Sequence, residues 1–527
     1  MPDYIVVGAG SAGCVLAARL SEDPGTDVTL IEAGPTDSNE NIHVPLGAGQ
    51  LFRTRLDWDY DTHDEPFLGG RRLYLPRGRV LGGTSAMNGM VYMRGNPADY
   101  DGWHQPGWSF EDLLPYFIRA EDNERGPSAY HGAGGPLAVS EGRSNNPMST
   151  AFVDAARQAG YAENHDFNGP GQAGFGRYQL TQRDGRRESS ATAYLRPALD
   201  RPNLTVETNL QVHRLLIEHG RAVGIVGTRL DEFVELRAER EVILAAGAYN
   251  SPQLLLLSGI GPAAELAALG IEVVLDQPEV GRNLQDHPAV NLVYPHDVPI
   301  SLLIAGEPDS VREYERFRTG PLTSNVPEAG GFVSSTGTGI PDVQFHASPL
   351  MLLDGGLEAP RAHAISFGPC VLATRSRGSV TLASTDPTAK PRIRHNYYAD
   401  EADLRTMVAG LRVAFDIARQ NALAPYTGNL HSGPETQSGE DLRAFARRGT
   451  QTLFHPAGSC AMGTVLDAEL RVRGLDGLRV VDASVLPTLV RGNTNAPVMA
   501  IAEKAADLVR GVAPLPAERP HRLEAAS

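Results

Sequence analysis

The sequence predicts an α/β fold in which a Rossmann-type dinucleotide-binding domain is joined to a second domain. Two observations lead to this prediction. The chain opens with a strand, a glycine-rich turn and a helix in the order that binds a dinucleotide. Its 527 residues also exceed the size at which one hydrophobic core usually gives way to several domains. We therefore expect the ligand site in a cleft between domains.

The opening segment contains each element of a βαβ dinucleotide-binding unit. Residues 4–7 (YIVV) are short, apolar and β-branched, which is typical of a buried strand. The turn at 8–13 (GAGSAG) follows, and residues 14–20 (CVLAARL) favour a helix. Residues 28–31 (VTLI) are the next predicted strand, which ends at Glu32.

Each position of this unit has a physical role. Gly8 makes the sharp turn, Gly10 lets a pyrophosphate approach the backbone, and Gly13 lets the helix pack closely on the strand. The helix N-terminus supplies free N–H groups and a positive dipole end. Glu32 can accept hydrogen bonds from a ribose diol and disfavours NADP. FAD and NAD remain open at this point. The cofactor residues predicted here are Gly8, Gly10, Ser11, Ala12, Gly13, Glu32 and Ala33.

Composition excludes several classes of partner. With 47 basic and 63 acidic residues, the net charge is −16, which argues against a general binder of nucleic acids or anionic membranes. Cys14, Cys370 and Cys460 are far apart and odd in number, so they define neither a disulfide framework nor a metal site. The N-terminus lacks a signal-peptide pattern, and no apolar run is long enough for a membrane span. We expect a cytoplasmic protein.

Longer segments later in the chain resemble the signatures of the glucose–methanol–choline (GMC) family of flavin oxidoreductases. Residues 78–88 (GRVLGGTSAMN) and 247–261 (GAYNSPQLLLLSGIG) resemble its two signature patterns. Shorter family-like stretches are 281–287, 455–460, 481–484 and 492–497, so that the resemblance spans about residues 4–510. The similarity is greatest to bacterial choline dehydrogenases and hydroxymethylfurfural oxidases.

The resemblance implies an FAD cofactor and the GMC fold, in which an antiparallel sheet with helices is inserted into the FAD-binding domain. In some relatives a histidine at the Met87 position tethers the flavin covalently; methionine cannot, so we expect noncovalent FAD. The further cofactor residues implied are Arg79, Gly82, Gly83, Thr84, Asn88, Gly89, Met90, Val212, Ala246, Gly247, Asp482, Ala483, Asn495, Ala496 and Pro497.

The implied FAD-binding domain is discontinuous. It would comprise residues 1–140, 195–287 and 451–512, with a substrate-binding domain at 141–194 and 288–450. Within the latter, 378–382 alternates as a strand does and 402–421 has apolar positions at helical spacing. Residues 513–527 are predicted to be a surface tail.

Oxidising an alcohol requires a base for the hydroxyl proton and an acceptor for the hydride. The flavin supplies the acceptor, and histidine suits the first role because its ordinary pKa lies near neutrality. The resemblance assigns the base to His455 and the orientation of the alcohol oxygen to Asn495, since an amide cannot act as a base. Cys460 lies five residues after His455, on the opposite face if the segment is a strand, and we interpret it as a buried thiol. His287 is predicted to be structural.

The sequence gives less evidence about the substrate than about the cofactor. Phe454 could form an apolar wall, or its side chain could point into the core. Glu328 lies where choline-oxidising relatives carry a carboxylate that faces the substrate cation, although the same local sequence occurs in relatives that do not use choline.

The predicted function is FAD-dependent oxidation of a primary alcohol to an aldehyde, with aryl, furanic or small aliphatic alcohols favoured and oxygen or another electron acceptor. The alternatives are a choline-type dehydrogenase and a hydroxynitrile lyase, because one GMC branch binds FAD without net redox chemistry. A nonenzymatic nucleotide sensor and an NAD-dependent dehydrogenase are more distant alternatives.

Overall fold

The computed structural model describes residues 1–520. The α-helices in this part of the chain are α1 (Ser11–Leu20), α2 (Glu40–His43), α3 (Pro97–Asp101), α4 (Phe110–Ala120), α5 (Pro147–Gln158), α6 (Gly247–Leu257), α7 (Ala263–Ala268), α8 (Pro308–Phe317), α9 (Glu401–Ala418), α10 (Gly439–Gly449) and α11 (Asn495–Arg510). Among them, none is both long and apolar enough to cross a membrane.

The strands are β1 (Tyr4–Val7), β2 (Val28–Ile31), β3 (Tyr60–Asp61), β4 (Tyr74–Leu75), β5 (Glu121–Asn123), β6 (Leu137–Glu141), β7 (Gly174–Arg177), β8 (Gln179–Leu180), β9 (Gln182–Arg183), β10 (Arg186–Arg187), β11 (Leu204–Glu207), β12 (Leu210–Glu218), β13 (Arg221–Arg229), β14 (Glu232–Arg237), β15 (Glu241–Leu244), β16 (Ile260–Gly261), β17 (Leu275–Asp276), β18 (Pro288–Ala289), β19 (Leu292–Pro295), β20 (Ala329–Val333), β21 (Val343–Ser348), β22 (Ala364–Val371), β23 (Ser379–Thr381), β24 (Arg392–Arg394), β25 (Gln451–Thr452) and β26 (Leu478–Val480).

A five-stranded parallel sheet with the order β11-β2-β1-β15-β26 forms the first layer. Every residue of β1 and β2 is buried, as their continuous apolar sequences predict for strands covered on both faces. Helix α1 follows β1 and packs against α11, which in turn packs against α4. The Rossmann-type α/β architecture predicted from residues 4–32 is therefore confirmed.

A seven-stranded sheet forms the second layer. Strands β25, β18, β22, β21, β20 and β7 are hydrogen-bonded in that order, with β19 also on β22. All these pairings are antiparallel. Helices α5 and α9 pack against this sheet, and the apolar positions Leu404, Met407, Leu411 and Phe415 of α9 are buried. The predicted helix at 402–421 and strand at 378–382 correspond to α9 and β23.

Strands of the two sheets come from interleaved parts of the chain. The parallel sheet uses segments within 4–31, 204–244 and 478–480, whereas the antiparallel sheet uses 174–177, 288–371 and 451–452. This distribution supports the division that we propose, an FAD-binding domain at 1–140, 195–287 and 451–512 and a substrate-binding domain at 141–194 and 288–450. Because β25 pairs with β18, it lies at the junction of the two.

The described part of the predicted tail, 513–520, has no helix or strand. It lies along α4, where the backbone N–H of Leu515 donates to the Tyr116 hydroxyl (3.0 Å) and that of Glu518 to the Glu111 carbonyl (3.0 Å). Residues 521–527 of the predicted tail lie outside the described residues.

Candidate active site

A cavity of about 750 Å³ runs from the parallel sheet to the antiparallel one. At one end it is lined by Val7, Ile31 and Ala245, at the carboxyl ends of β1, β2 and β15, and at the other by His346 and Ser348 of β21. Parallel sheets usually bind their ligands at the carboxyl ends of the strands. The volume lies in the range of about 300–1,000 Å³ that is common for cofactor and ligand sites.

The glycine turn after β1 has room for a ligand at only one of its three glycines. A Cβ on Gly8, whose φ is +102°, would lie 2.6 Å from the Ala245 carbonyl oxygen, and one on Gly13 would lie 1.8 Å from that of Gly8. Gly10 lines the cavity, and the nearest atom to a Cβ there is the Gly83 Cα at 3.9 Å. The geometry thus fits the turn, packing and close-approach roles predicted for these glycines.

A second glycine loop, residues 82–83, lies directly on the first. The Gly82 N–H donates to the Ala9 carbonyl (2.8 Å), and a Cβ on Gly83 would lie 2.6 Å from the Gly10 Cα. The two loops can therefore touch only where neither carries a side chain. Together they place bare backbone along one wall of the cavity, which suits a phosphate-containing cofactor.

The carboxylate of Glu32 lines the cavity at the end of β2. It accepts hydrogen bonds from the backbone N–H groups of Ala9 (3.0 Å) and Gly34 (2.9 Å). Burial raises the pKa of Glu32 to about 7, against the lowering effect of these two hydrogen bonds. Each carboxylate oxygen has a second lone pair, so the group can still accept hydroxyl donors such as those of a ribose.

Three helices begin at the cavity without a side-chain cap, namely α1, α6 and α11. Their N-termini provide N–H groups that make no hydrogen bond within the helix, and partial positive charge. The Ser11 hydroxyl donates to the Asn495 side-chain oxygen (2.7 Å) and so ties the start of α1 to that of α11. Asp482, after β26, accepts from the Gly247 N–H (2.9 Å) and the Ser251 hydroxyl (2.6 Å) at the start of α6.

Asn88 presents a fixed amide to the cavity. Its side-chain oxygen accepts from Arg187 Nη1 (2.9 Å) and from the Met90 N–H (3.0 Å), which leaves the amide nitrogen to donate. Arg187 is buried and its other hydrogen bonds go to backbone carbonyls, and burial lowers its pKa to about 9. Sequence reasoning missed Arg187, because nothing local in 182–187 indicates a residue that holds the 85–88 loop.

His455 lies in a turn that Asp286 anchors. The His455 N–H donates to Asp286 Oδ1 (2.8 Å), and the Thr452 hydroxyl donates to Asp286 Oδ2 (2.5 Å). Phe454 has a left-handed φ of +67°, and its carbonyl accepts from Arg77 Nη2 (2.9 Å). The chain therefore reverses directly after β25 and directs His455 into the cavity.

This turn corrects the strand that we expected around His455, since β25 ends at Thr452. The argument from alternating strand faces does not apply to Cys460. That residue is nevertheless buried, its N–H donates to the Ser484 carbonyl (2.8 Å), and burial raises the pKa of its thiol well above the ordinary value. The geometry agrees with a structural thiol rather than a nucleophile.

The structure pairs His455 with Asn493 rather than with Asn495. Asn493 Nδ2 lies 3.2 Å from His455 Nε2, whereas the Asn495 side chain is bonded to Ser11. The correction has a local cause: α11 begins at Asn495, so this side chain lies in the first helical turn beside α1, while Asn493 lies in the preceding turn. Both asparagines line the cavity.

His455 is held in the neutral state. Burial lowers its pKa well below the ordinary value, and the nearby His287, His346 and Arg77 lower it further. Its Nδ1 lies 3.0 Å from Nδ1 of His287, the histidine predicted to be structural, whose pKa burial lowers to about 4. His346 lines the cavity and burial lowers its pKa to about 3. A neutral imidazole at this position can accept a proton.

Two models of the GMC oxidoreductase family match residues 2–289 and 374–502. The chain belongs to the GMC oxidoreductases. It is 43% identical to the alcohol dehydrogenase [acceptor] of Pseudomonas putida, over 97% of this chain and 96% of the relative. It is 41% identical to the oxygen-dependent choline dehydrogenase of Brucella anthropi, again over 97% and 96%. A solved structure from a study of FAD modification in Aspergillus oryzae formate oxidase has a TM-score of 0.90 and 26% identity, covering 97% of this chain and 98% of that one.

These matches confirm the predicted family, the GMC fold and an FAD-dependent oxidoreductase. For this GMC oxidoreductase, the cavity accounts for most of the predicted cofactor residues. Those that line it are Gly8, Gly10, Ser11, Ala12, Glu32, Ala33, Gly83, Thr84, Asn88, Gly89, Met90, Val212, Ala246, Gly247, Asp482, Ala483 and Asn495. Met87, at the position of the covalent histidine, also lines it.

Five predicted cofactor residues lie behind the cavity wall and not in it: Gly13, Arg79, Gly82, Ala496 and Pro497. The Arg79 guanidinium instead covers the Trp58 ring at 5.1 Å and donates to Gln211 Oε1 (3.4 Å). Trp58 and Gln211 do line the cavity, beside Val212. Arg79 thus supports the wall through residues that sequence reasoning missed, because their place depends on contacts between distant segments.

The two predicted substrate residues differ in position. Phe454 lines the cavity, whereas Glu328 is not among the lining residues. Its carboxylate is buried and accepts hydrogen bonds from the hydroxyls of Ser149 (2.7 Å) and Ser324 (2.7 Å). Of the two roles that the sequence left open for Glu328, the geometry favours a structural one, since both oxygens are engaged away from the cavity.

Apolar side chains line part of the end of the cavity near the antiparallel sheet, namely Leu302, Val326, Pro327, Leu350, Leu352 and Leu357. Among the described residues, the carboxylates that line the whole cavity are Glu32, Asp482 and Glu358. Glu32 and Asp482 bond backbone N–H groups at the glycine loops and α6, and Glu358 pairs with Arg361 near the surface.

Proposed function

We propose that this GMC oxidoreductase oxidises an uncharged primary alcohol to its aldehyde, with aryl, furanic or small aliphatic alcohols favoured. The observation that carries the proposal is the contact between Asn493 Nδ2 and the neutral His455 Nε2 in a cavity with apolar walls. The Pseudomonas putida relative is by name an alcohol dehydrogenase. Oxygen or another acceptor then reoxidises the enzyme.

We propose that the alcohol oxygen lies between Asn493 and His455. The oxygen accepts a hydrogen bond from the Asn493 amide, and the hydroxyl proton moves to His455 Nε2 as the hydride leaves the carbon. Burial favours this role because it keeps the imidazole neutral before the reaction. General-base catalysis of this kind contributes about 10²–10⁴-fold in rate.

Bound FAD supplies the hydride acceptor. The loops at 8–13 and 82–83, with the N-terminus of α1, would hold its pyrophosphate, and Glu32 its ribose hydroxyls. Asn88 would donate to a polar edge of the flavin. We propose that the cofactor is noncovalent, since Met87 replaces the histidine that tethers it in some relatives and a thioether forms no such bond.

A choline-type substrate is the second candidate, because a relative 41% identical to this chain is by name a choline dehydrogenase. A nearby carboxylate attracts a quaternary ammonium group. Glu328 is bonded to two serines outside the cavity lining, Glu32 and Asp482 are bonded to backbone, and Glu358 is paired with Arg361. This arrangement favours an uncharged alcohol over choline.

Anaerobic reduction of the flavin tests the proposal. Purified holoenzyme is mixed with benzyl, furfuryl and short aliphatic primary alcohols and with choline, and loss of flavin absorbance is followed before air is readmitted. We expect the uncharged alcohols to bleach the flavin faster than choline. A faster reaction with choline would favour the second candidate, and no bleaching by any alcohol would favour lyase chemistry. Recovery of colour in air measures oxygen as the acceptor.

We also propose a cytoplasmic location. All three cysteines, Cys14, Cys370 and Cys460, are buried and unpaired. Unpaired thiols are typical of reducing compartments. Fractionation of cells that express the native chain tests this location, and recovery in an oxidising compartment would contradict it.

A further inference from the structure

We propose that Gln344 is a positioning residue that fixes the Asn493 amide and thereby selects the ring nitrogen of His455 that faces the alcohol. The inference rests on the proposed function. It follows from a continuous hydrogen-bonded series of side chains, in which the half-buried Asn493 joins the buried residues Tyr178, Gln344, His455 and His287.

The series begins at Tyr178, whose hydrogen-bonding role has no freedom. Its hydroxyl is buried and donates to the Phe345 carbonyl at 2.5 Å. Because a hydroxyl carries a single proton, the Tyr178 oxygen can only accept from its other neighbour. That neighbour is Gln344 Nε2, at 3.2 Å.

The Gln344 amide is thereby oriented. Its Nε2 lies 3.2 Å from the Tyr178 oxygen and 3.2 Å from Asn493 Oδ1, so both N–H groups are used. Among the described residues, the buried Gln344 Oε1 has no hydrogen-bond partner. If the amide were rotated by half a turn, Oε1 would face the Tyr178 oxygen, which has no proton left to donate, and both N–H groups would lie where Oε1 now has no partner, which is costly in a buried site. The observed orientation is the one that satisfies the donors.

Asn493 transmits this orientation to His455. Because Oδ1 of Asn493 accepts from Gln344, its Nδ2 is the atom that faces His455 Nε2 at 3.2 Å. An amide N–H donates, so the neutral imidazole must leave Nε2 unprotonated and carry its proton on Nδ1. That proton is then donated to Nδ1 of His287, 3.0 Å away.

The groups around His455 favour the neutral form of this tautomer. Burial and the nearby Arg77 guanidinium lower the pKa of His455 and so oppose a positive charge on the ring, and Asp286 is bonded to the His455 backbone N–H. Burial lowers the pKa of His287 to about 4, against the raising effects of Asp286 and of the Leu372 and Val490 backbone carbonyls. His287 is therefore neutral and can accept. In the reaction, the O–H bond breaks and Nε2 gains the proton, which gives an imidazolium whose Nδ1–H is already bonded.

Gln344→Met is the variant that tests the proposal, since it keeps the volume and removes both donors. Without them the Asn493 amide can rotate and present Oδ1 to Nε2, which favours a proton on that nitrogen. We expect kcat/KM for the best alcohol to fall roughly tenfold to a hundredfold and the acid limb of its pH profile to move to higher pH. Gln182→Met is the matched control: Gln182 is also buried, its Nε2 donates to the Thr323 carbonyl (3.0 Å) and the Met90 sulfur (3.6 Å), and its Oε1 is unpartnered. We expect it to leave both readouts unchanged.

Tyr178→Phe adds an independent test, because it removes what orients Gln344 and leaves Gln344 in place. We expect a smaller loss than in Gln344→Met, and no further loss when the two changes are combined, since they act in one series. Equal, additive losses would instead indicate two separate packing defects and would overturn the proposal.

The tautomer can be measured without turnover. In holoenzyme labelled with [¹⁵N]histidine, the His455 signals among the 15 histidines are assigned by their loss in His455→Asn. We expect an Nδ1-protonated, Nε2-unprotonated ring in the natural chain and in Gln182→Met, and a shift toward Nε2 protonation in Gln344→Met. An unchanged tautomer with an unchanged rate in Gln344→Met overturns the inference. If no alcohol reduces the natural enzyme yet the tautomer shift is seen, the proposed substrate fails and the positioning role stands.

Discussion

The two ends of the cavity are built in different ways. The end at the parallel sheet is made of backbone: two glycine loops and three uncapped helix N-termini, with Glu32 held by two N–H groups. The end at the antiparallel sheet is made of side chains from distant segments, with His455 and Asn493 in the wall and Gln344 and His287 hydrogen-bonded behind them. Changes at the first end should therefore affect cofactor retention, and changes at the second should affect rate.

The largest effect that we expect is at His455. Replacing it with alanine removes the proton acceptor, so alcohol-dependent flavin reduction should slow by about 10²–10⁴-fold. The cavity wall at the glycine loops is untouched, so the FAD content should equal that of the natural chain. Stopped-flow absorbance measures the rate, and the absorbance ratio of flavin to protein measures the content. A loss of FAD in this variant would show that cofactor retention and reaction rate do not depend on separate ends of the cavity.

Asn493 and Asn495 lie two residues apart, but we expect changes in them to affect different ends of the cavity. Asn493→Ala removes the donor next to His455, and we expect kcat to fall by about 10²-fold, as for other donors to a developing alkoxide. Asn495→Ala removes the bond to Ser11 that joins α1 to α11, so its main effect should be weaker FAD retention. The two variants are compared by single-turnover reduction and by FAD release on dilution. If Asn495→Ala lowers the reduction rate as much as Asn493→Ala, the pairing is wrong.

Asn493 and Asn495 also show how much of the site could be predicted from the sequence. The βαβ unit was predictable because strand, turn and helix follow local backbone rules, and the glycine spacing itself specifies the close contacts. His455 was singled out by its surrounding motif, and its role as the base stays a prediction. The sequence indicated Asn495 as its partner, whereas Asn493, two residues earlier, contacts the ring, because the start of α11 decides which asparagine lies in the helix and which precedes it.

The remaining errors share a cause. Gln344 lies on β21, 149 residues before Asn493, and their contact follows from the pairing of strands that no local pattern specifies. Glu328 was considered as a substrate ligand from its position in the sequence, but Ser149 and Ser324 determine where its carboxylate points. Side-chain direction at the end of the cavity near the antiparallel sheet depends on such tertiary contacts, which override local sequence.

At the end of the cavity near the parallel sheet, Gly83→Ala should reduce FAD retention. The added Cβ would lie 2.6 Å from the Gly10 Cα, so the two loops must separate. Gly69→Ala is the control, because Gly69 also has a positive φ, +69°, and no atom within 4 Å of an added Cβ. We expect Gly83→Ala to be purified with less bound flavin, and Gly69→Ala with the natural amount. Reduction of the remaining flavin by alcohol should keep its rate, and a slower rate would show that the two ends are coupled.

The pH profile tests only the end of the cavity near the antiparallel sheet, where His455 lies. Because the pKa of His455 is lowered, the base stays unprotonated as the pH falls from 8 through 6.5 and is protonated only as the pH falls through the lowered value. We therefore expect kcat/KM for an alcohol that does not itself ionise to stay constant to below pH 6.5. Its acid limb is measured with the flavin fully bound. An acid limb at or above pH 6.5 would mean that the groups around His455 do not keep it neutral in the working enzyme.

The smallest effect that we expect is at Glu328. In Glu328→Gln the side chain keeps its shape, and the Ser149 and Ser324 hydroxyls can still bond to it because a hydroxyl both donates and accepts. Since this side chain does not line the cavity, KM should stay unchanged for an uncharged alcohol and for choline alike. Steady-state assays with both substrates make the comparison. A selective rise in KM for choline would mean that the carboxylate acts on the substrate after all, and the end of the cavity near the antiparallel sheet would then extend beyond the series from Tyr178 to His287.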